Sequence, residues 1–217
     1  MNTDWLWSRA TLFALLALVG FWVVGAHNRL VRLRSEVSAT WTLLAAQLRR
    51  RQSLVRELAE LLCAPSLDDE LAAAAGVPIS GRVPADLAVA SEALVAAGMQ
   101  AGAATDHVQQ ARATDAGAVQ SLALAEQVLV RSLGALRRVQ QAHPGWPTTS
   151  AAAEQVEALN QALQQVDAQI LFAGRQHADA VTALNAAVRE WPTRVVATLF
   201  GVRPTAALQP TAGEAIA

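Results

Sequence analysis

An all-α fold, with a single N-terminal transmembrane helix followed by a long antiparallel bundle of three to four helices, is what the sequence predicts, on three observations. A run without ionisable side chains extends from Ala10 to Ala26, three later stretches repeat apolar residues at alternating spacings of three and four, and Pro/Gly clusters separate those stretches. Composition agrees. Hydrophobic residues make up 53% of the 217 positions while aromatics make up only 5%, so alanine and leucine, both strong helix formers, dominate the apolar content.

The first element is the candidate span, preceded by a short flank over residues 1–9. At about 1.5 Å per residue, Ala10 to Ala26 reaches about 26 Å, slightly under the ~30 Å hydrocarbon layer, and Trp5 to Arg9 make up the difference. Trp5 and Trp7 suit one interface and Trp22 the other, while Arg9 can snorkel outward. The membrane-anchor residues are Leu12, Phe13, Leu15, Leu16, Leu18, Val19, Phe21, Trp22, Val23 and Val24; the Leu, Phe and Val of the span contribute about −3 to −5 kcal/mol on the insertion scale. Arg29, Arg32 and Arg34 follow the span, whereas Arg9 before it is offset by Asp4. The positive-inside rule therefore predicts a single-pass protein of the inner (cytoplasmic) membrane with its bulk on the cytoplasmic side. The same three arginines are candidate headgroup contacts, at about 1 kcal/mol each near an anionic surface. The competing reading is a cleaved secretory signal, with Arg9 as its charged region and Val24-Gly25-Ala26 as the cleavage site, leaving an exported helical binding module. Against it, helix formers continue past Ala26 with no linker.

From residue 27 to 62, Leu30, Leu33, Val37, Trp41, Leu44, Leu48, Val55, Leu58 and Leu62 form a coiled-coil-like seam with one skipped position near Arg51. Pro65 ends it, and Ser66 with Asp69 and Glu70 suggests a new N-cap. Residues 76–84, GVPISGRVP, read as a loop. A short helix over 86–97 is expected next, weakened at Gly98 and Gly102, and then a long one over 104–141 whose seam runs Val108, Ala111, Asp115, Ala118, Leu122, Ala125, Leu129, Leu133, Leu136 and Val139. HPGWPTTS, residues 143–150, reads as a turn with Thr149 or Ser150 as cap. The last long helix, 150–191, carries the seam from Val156 through Leu163, Ile170, His177 and Leu184 to Trp191. Pro192 terminates it, a short helix to Phe200 follows, and Gly201 stops that. The three long helices have similar lengths, which suits antiparallel packing. Residues 205–217 offer little to bury and are expected to be a disordered tail.

Charge is uneven although the net value is −1: residues 27 to 56 hold seven arginines against Glu36, and the chain beyond holds nine against sixteen acids. Arg49, Arg50 and Arg51 are either a solvated face paired with acids of a neighbouring helix or a partner-binding patch. Nothing favours nucleic acid, because the arginines are not interleaved with stacking aromatics. His27, His107, His143 and His177 lie in four different elements without metal-ligand spacing, and no zinc, phosphate-loop or nucleophile motif occurs. His177 on the seam reads as a buried, hydrogen-bonded core residue. Asp115, on the expected seam of the middle helix, is either exposed by a slight rotation or answered by Arg175 or Arg51. Cys63 has neither a neighbouring base nor a second cysteine. These features predict a non-catalytic scaffold or protein-interaction module without cofactor or small-molecule substrate, its partners being the bilayer and other membrane or cytoplasmic proteins or further copies of the chain.

The order and spacing of Asn28, Leu30, Val31, Leu33, Arg34, Val37, Trp41, Gln47, Leu48 and Arg49 to Arg51 resemble the membrane-proximal pattern of the LemA family. Ala173, His177, Val181, Leu184, Asn185, Val188, Trp191, Pro192, Phe200, Gly201 and Val202 resemble its C-terminal pattern. The resemblance marks Asn28, Trp41, Gln47, Leu48, Asn185, Pro192 and Gly201 as structural motif residues and implies a LemA-like helical bundle over 27–204 behind one transmembrane helix. It carries no activity with it. The chain departs from the pattern at Ala45, at Arg56-Glu57, and where family tyrosines appear as His27, His177 and Leu184.

Overall fold

The computed structural model describes residues 3–63, 83–111, 115–146, 150–202 and 204–208, with side chains from Thr11 onward. Five helices account for nearly all of them: α1 (Thr3–Cys63), α2 (Ala85–Gln110), α3 (Ala116–Ala142), α4 (Ser150–Arg189) and α5 (Thr193–Leu199). No strand occurs among the described residues.

The candidate span and the seam that follows it belong to a single helix of 61 residues, about 90 Å at the standard rise. Its apolar first part is long enough to cross a membrane, and Leu12, Phe13, Leu15, Leu16, Leu18, Val19, Phe21 and Val24 are all exposed. From Ala26 onward the exposure becomes one-sided. Every predicted seam residue from Leu30 to Leu62 is buried, and Arg51 occupies the position the apolar count had skipped. α2 is also apolar enough to pass for a span, but Leu87, Leu94, Ala97, Ala101 and Val108 are buried, which is the behaviour of a core helix.

Three apolar clusters follow α1 along its length. Near the span end, Ala26, Leu30, Leu33 and Val37 pack on Val181, Leu184, Ala187 and Val188 of α4 and on Val196 and Ala197 of α5. In the middle, Trp41, Leu44 and Leu48 meet Val108, Ala118, Leu122, Val166 and Ile170. At the far end, Val55, Leu58 and Leu62 meet Leu87, Leu94, Leu129, Leu136, Val156 and Leu163. Each fully buried leucine contributes about 1.5–3 kcal/mol relative to exposure. Polar contacts define the register of α2 on α1: Arg49 reaches Asp106 and Gln52 reaches Thr105, while a Cβ on Gly98 would lie 3.7 Å from Val55.

The expected break in the middle of the chain is misplaced. The helix runs through Gly98 and Gly102, because a Cβ at Gly102 would stand 3.3 Å from Gln52 Oε1 and the close approach of α1 and α2 uses that space. The break falls instead between Ala111 and Asp115. There Asp115 is not a seam residue but the N-cap of α3, its carboxylate accepting from Gly117 N at 2.9 Å. Two helices of 26 and 27 residues therefore replace the expected short and long pair. They end level with Trp41 and Leu44 and leave the span end to α1, α4, α5 and the tail.

At the opposite end His143, the C-cap of α3, hydrogen-bonds Asp86 in the first turn of α2 at 2.9 Å and holds that carboxyl below its usual range. Trp146 Nε1 donates to Leu62 O at 3.2 Å, tying the turn to the end of α1. Of the expected loop at 76–84, only Val83 and Pro84 fall among the described residues; the Ser66 cap, Thr149 and residues 209–217 lie outside them. The last helix keeps its predicted seam through Ala187, but Trp191 is 82% exposed because α4 ends at Arg189 and the chain turns before it. Gly201 ends α5 at φ 66°, with Val202 N bonded to Ala197 O and Gly201 N to Thr198 O, the paired bonds of a left-handed helix stop. Beyond it, Thr205 and Leu208 are buried, so the expectation that residues from 205 onward have little to bury fails for those two.

Replacing Leu163, fully buried in the far cluster, by alanine should destabilise the fold by about 2–5 kcal/mol, read as a lowered urea midpoint at unchanged slope.

Candidate functional site

The features that depart from a plain apolar core lie along α1, and the first is its exit from the apolar run. His27 sits against Phe200 with ring centroids 4.4 Å apart, and Val23 is half-buried against the cluster that includes Val196 and Ala197 of α5. Arg29 pairs with Glu190 at 3.3 Å, both half exposed, so one of the three candidate headgroup arginines has a protein partner. Arg32 and Arg34 are exposed, as is Asn28.

Further along, the candidate arginine patch divides. Arg49 is exposed and pairs with Asp106 at 2.9 Å, and Arg50 is exposed. Arg51 is not a surface residue: it is 5% exposed, with Nη2 paired to Glu126 of α3 and Nη1 to Asp167 of α4 at 3.3 Å. The reason is positional. Arg51 follows Leu48 by three residues and precedes Val55 by four, so the seam carries it inward, between the middle and far apolar clusters. Burial lowers the Arg51 pKa and the Asp167 charge opposes that, but a guanidinium stays protonated at any ordinary pH. Asp167 retains access to water, whereas Glu126 is buried with the guanidinium. A buried carboxylate answered by Arg51 therefore exists, but it is Glu126 and not Asp115. Arg175 is exposed, so Asp115, Arg175 and His177 do not converge.

His177 is 1% exposed, as its seam position predicted, and its ring is 5.6 Å from that of Trp41. Its Nδ1 lies 3.3 Å from Thr40 Oγ1, and the carbonyl of Val37 is a second partner. Burial lowers its pKa, with the Val37 bond acting in the opposite direction, so the imidazole is neutral in the fold.

Beside Trp41 a cleft of about 910 Å³ opens between α1, the adjoining ends of α2 and α3 and the tail, lined by Arg34, Ser35, Ser38, Thr42, Gln109, Asp115 and Thr205 among others. It exists because α2 and α3 stop short of the span end. Two buried groups beside it, Trp41 Nε1 and Thr205 Oγ1, have no hydrogen-bond partner among the described residues. Its tail wall is held by Asn185, whose amide donates to Thr205 O at 2.8 Å and accepts from Thr205 N at 2.9 Å.

Of the motif residues, Trp41 and Leu48 are buried, Gln47 is half-buried, and Asn185, Pro192 and Gly201 shape the turn into the tail. Glu126 and Asp167 were missed. The signal available for them was the skipped seam position, which implied that Arg51 faces inward and needs acids opposite it. Among the described residues no three His, Cys, Asp or Glu are grouped to hold a metal, and Cys63 is a half-buried free thiol.

An all-α chain whose first helix begins as a candidate span and runs on into a set of packed helices is the class these features define. The chain belongs to the LemA family, whose model matches residues 95–216. That match takes in the C-terminal motif and the Asn185 clasp; the motif at 28–51 lies before it. Neither the curated proteins nor the solved structures give a match.

Removing one member of the buried charge group leaves Arg51 under-compensated. Glu126→Ala should cost about 3–5 kcal/mol, while Arg51→Met combined with Glu126→Leu should recover most of that loss, both read from denaturant midpoints. For His177 the folded pKa lies below the ordinary 6.5, so the unfolded chain takes the proton first. Its contribution to stability is complete above about pH 6.5 and falls as the pH drops towards the folded pKa. The urea midpoint of His177→Gln should change less than the parent's over that window; parallel curves would assign the acid sensitivity to other groups.

Proposed function

We propose that this LemA-family chain is a single-pass tether of the bacterial inner membrane that holds an antiparallel helical bundle on the cytoplasmic side as a non-catalytic interaction module. The observation that carries the reading is the continuity of α1, which passes from an exposed apolar run into a one-sided core seam without a break. Exposed apolar side chains over a span's length are stable only in lipid or against another protein. The alternative, an exported module released by cleavage after Ala26, would discard Val23 and Ala26, both of which pack with α5. Orientation follows the excess of arginine after the span.

For interaction rather than catalysis, the supporting observation is the cleft beside Trp41. Among the described residues it is lined by hydroxyls together with Arg34 and Asp115, which suits recognition of a polar protein segment. Partners are the bilayer and membrane or cytoplasmic proteins, with further copies of the chain as the alternative. No cofactor or small-molecule substrate is proposed.

Leu16→Arg should place a charge near the bilayer centre at about 2.5–3.5 kcal/mol and shift the protein from the membrane pellet to the soluble fraction. Unchanged fractionation, or a membrane-bound parent whose sequence begins at His27, would overturn the tether.

A further inference from the structure

Among the described residues, none covers the face that α5 turns away from α1 and α4. Val195 and Leu199, four apart on α5, share one face and are 59% and 75% exposed, and Trp191 in the turn before the helix is 82% exposed. Thr193, Val196 and Ala197 on the opposite side are buried against α1 and α4. Phe200, the half-exposed C-cap of α5, sits against His27 of α1. Adjoining it is a recess of about 600 Å³ lined by Arg189, Arg194 and Thr198, and neither guanidinium has an ion-pair partner among the described residues.

We infer that α5 is a second membrane contact, an interfacial helix that sets Trp191, Val195, Leu199 and Phe200 into the headgroup–acyl boundary and receives an anionic phospholipid phosphate between Arg189 and Arg194. The inference rests on the tether reading, because the position of α5 on α1 determines its depth. Val23 and Ala26 share a cluster with Val196 and Ala197, and His27 touches Phe200, so α5 is level with the last residues of the candidate span. At that level an exposed tryptophan and large apolar side chains are stable in the interface, and the arginines beside them complement an anionic leaflet. The Arg29–Glu190 pair pins the turn before α5 to the same turn of α1. A protein partner would need no such coincidence of depth, charge and span exit.

The test uses the full chain with Cys63→Ser, reconstituted in vesicles of phosphatidylcholine and phosphatidylglycerol. An environment-sensitive probe is attached in separate samples at Val195→Cys, Leu16→Cys and Val89→Cys, the last being exposed at the far end of α2. Nitroxide at a deep acyl position should quench the probe at 16, nitroxide at a shallow one the probe at 195, and neither should quench the probe at 89. Omitting phosphatidylglycerol, or introducing Arg189→Gln with Arg194→Gln, should reduce quenching at 195 and leave it unchanged at 16. If 16 is quenched while 195 behaves like 89, the α5 contact is wrong and the tether stands. Loss of quenching at 16 as well would mean the tether itself has failed. A probe at 195 that is shielded from aqueous iodide yet unquenched by lipid would show that protein covers that face, and quenching at 195 indifferent to anionic lipid and to the arginine pair would remove the phosphate site; either result overturns the proposal.

Discussion

One unbroken helix with two surface patterns is the constraint from which the remainder follows. Over its first part α1 is apolar all round, and from Ala26 it narrows to a stripe one side wide. A helix apolar all round needs a surrounding apolar medium, whereas a striped one needs a partner helix on one side only. Because no residue interrupts the backbone between the two regimes, everything that packs on the stripe is held at a defined height above the apolar run. α4 occupies the stripe near the span end, and α2 and α3 join it only beyond Trp41.

The charge group of Arg51, Glu126 and Asp167 gives that arrangement a register. Apolar seams of leucine and alanine tolerate sliding by a turn, since one leucine replaces another at little cost. A buried guanidinium does not: moved by a turn, Arg51 would face the apolar clusters on either side, and Glu126 would lose its Arg51 partner inside the core. Its net contribution to stability is small or negative compared with apolar residues of the same volume, so its effect lies in penalising wrong alignments of α1, α3 and α4.

Near the span end there are too few helices to close the core, and short-range polar geometry substitutes for them. Asn185 holds the backbone of Thr205 through both its amide oxygen and its amide nitrogen, which lets Leu208 reach the middle cluster. The helix stop at Gly201 makes that reversal feasible, because a residue with a Cβ is strained at φ 66°. The cleft beside Trp41 and the exposed face of α5 are both consequences of this thinner packing.

Periodicity and composition by themselves determined the all-helical class, the apolar run, the inward face of α1 and the inward face of α4 as far as Ala187, because each depends on a repeat that a single helix must satisfy alone. His177 was legible for the same reason. The joint between α2 and α3 was not, since Gly98 and Gly102 look like helix breakers until the near approach of Gln52 and Val55 gives their missing side chains a use. Asp115 read as a seam residue because a capping carboxylate and a buried one share the same spacing until the chain is seen to turn. Only the tertiary structure decided that Arg51 meets Glu126 and Asp167, that Asn185 meets Thr205 and that α5 sits at the span exit. Arg51 lies 75 residues from Glu126 and 116 from Asp167, His27 lies 173 from Phe200, and Asn185 and Thr205 are joined through a turn; contacts between different helices leave no period in the chain.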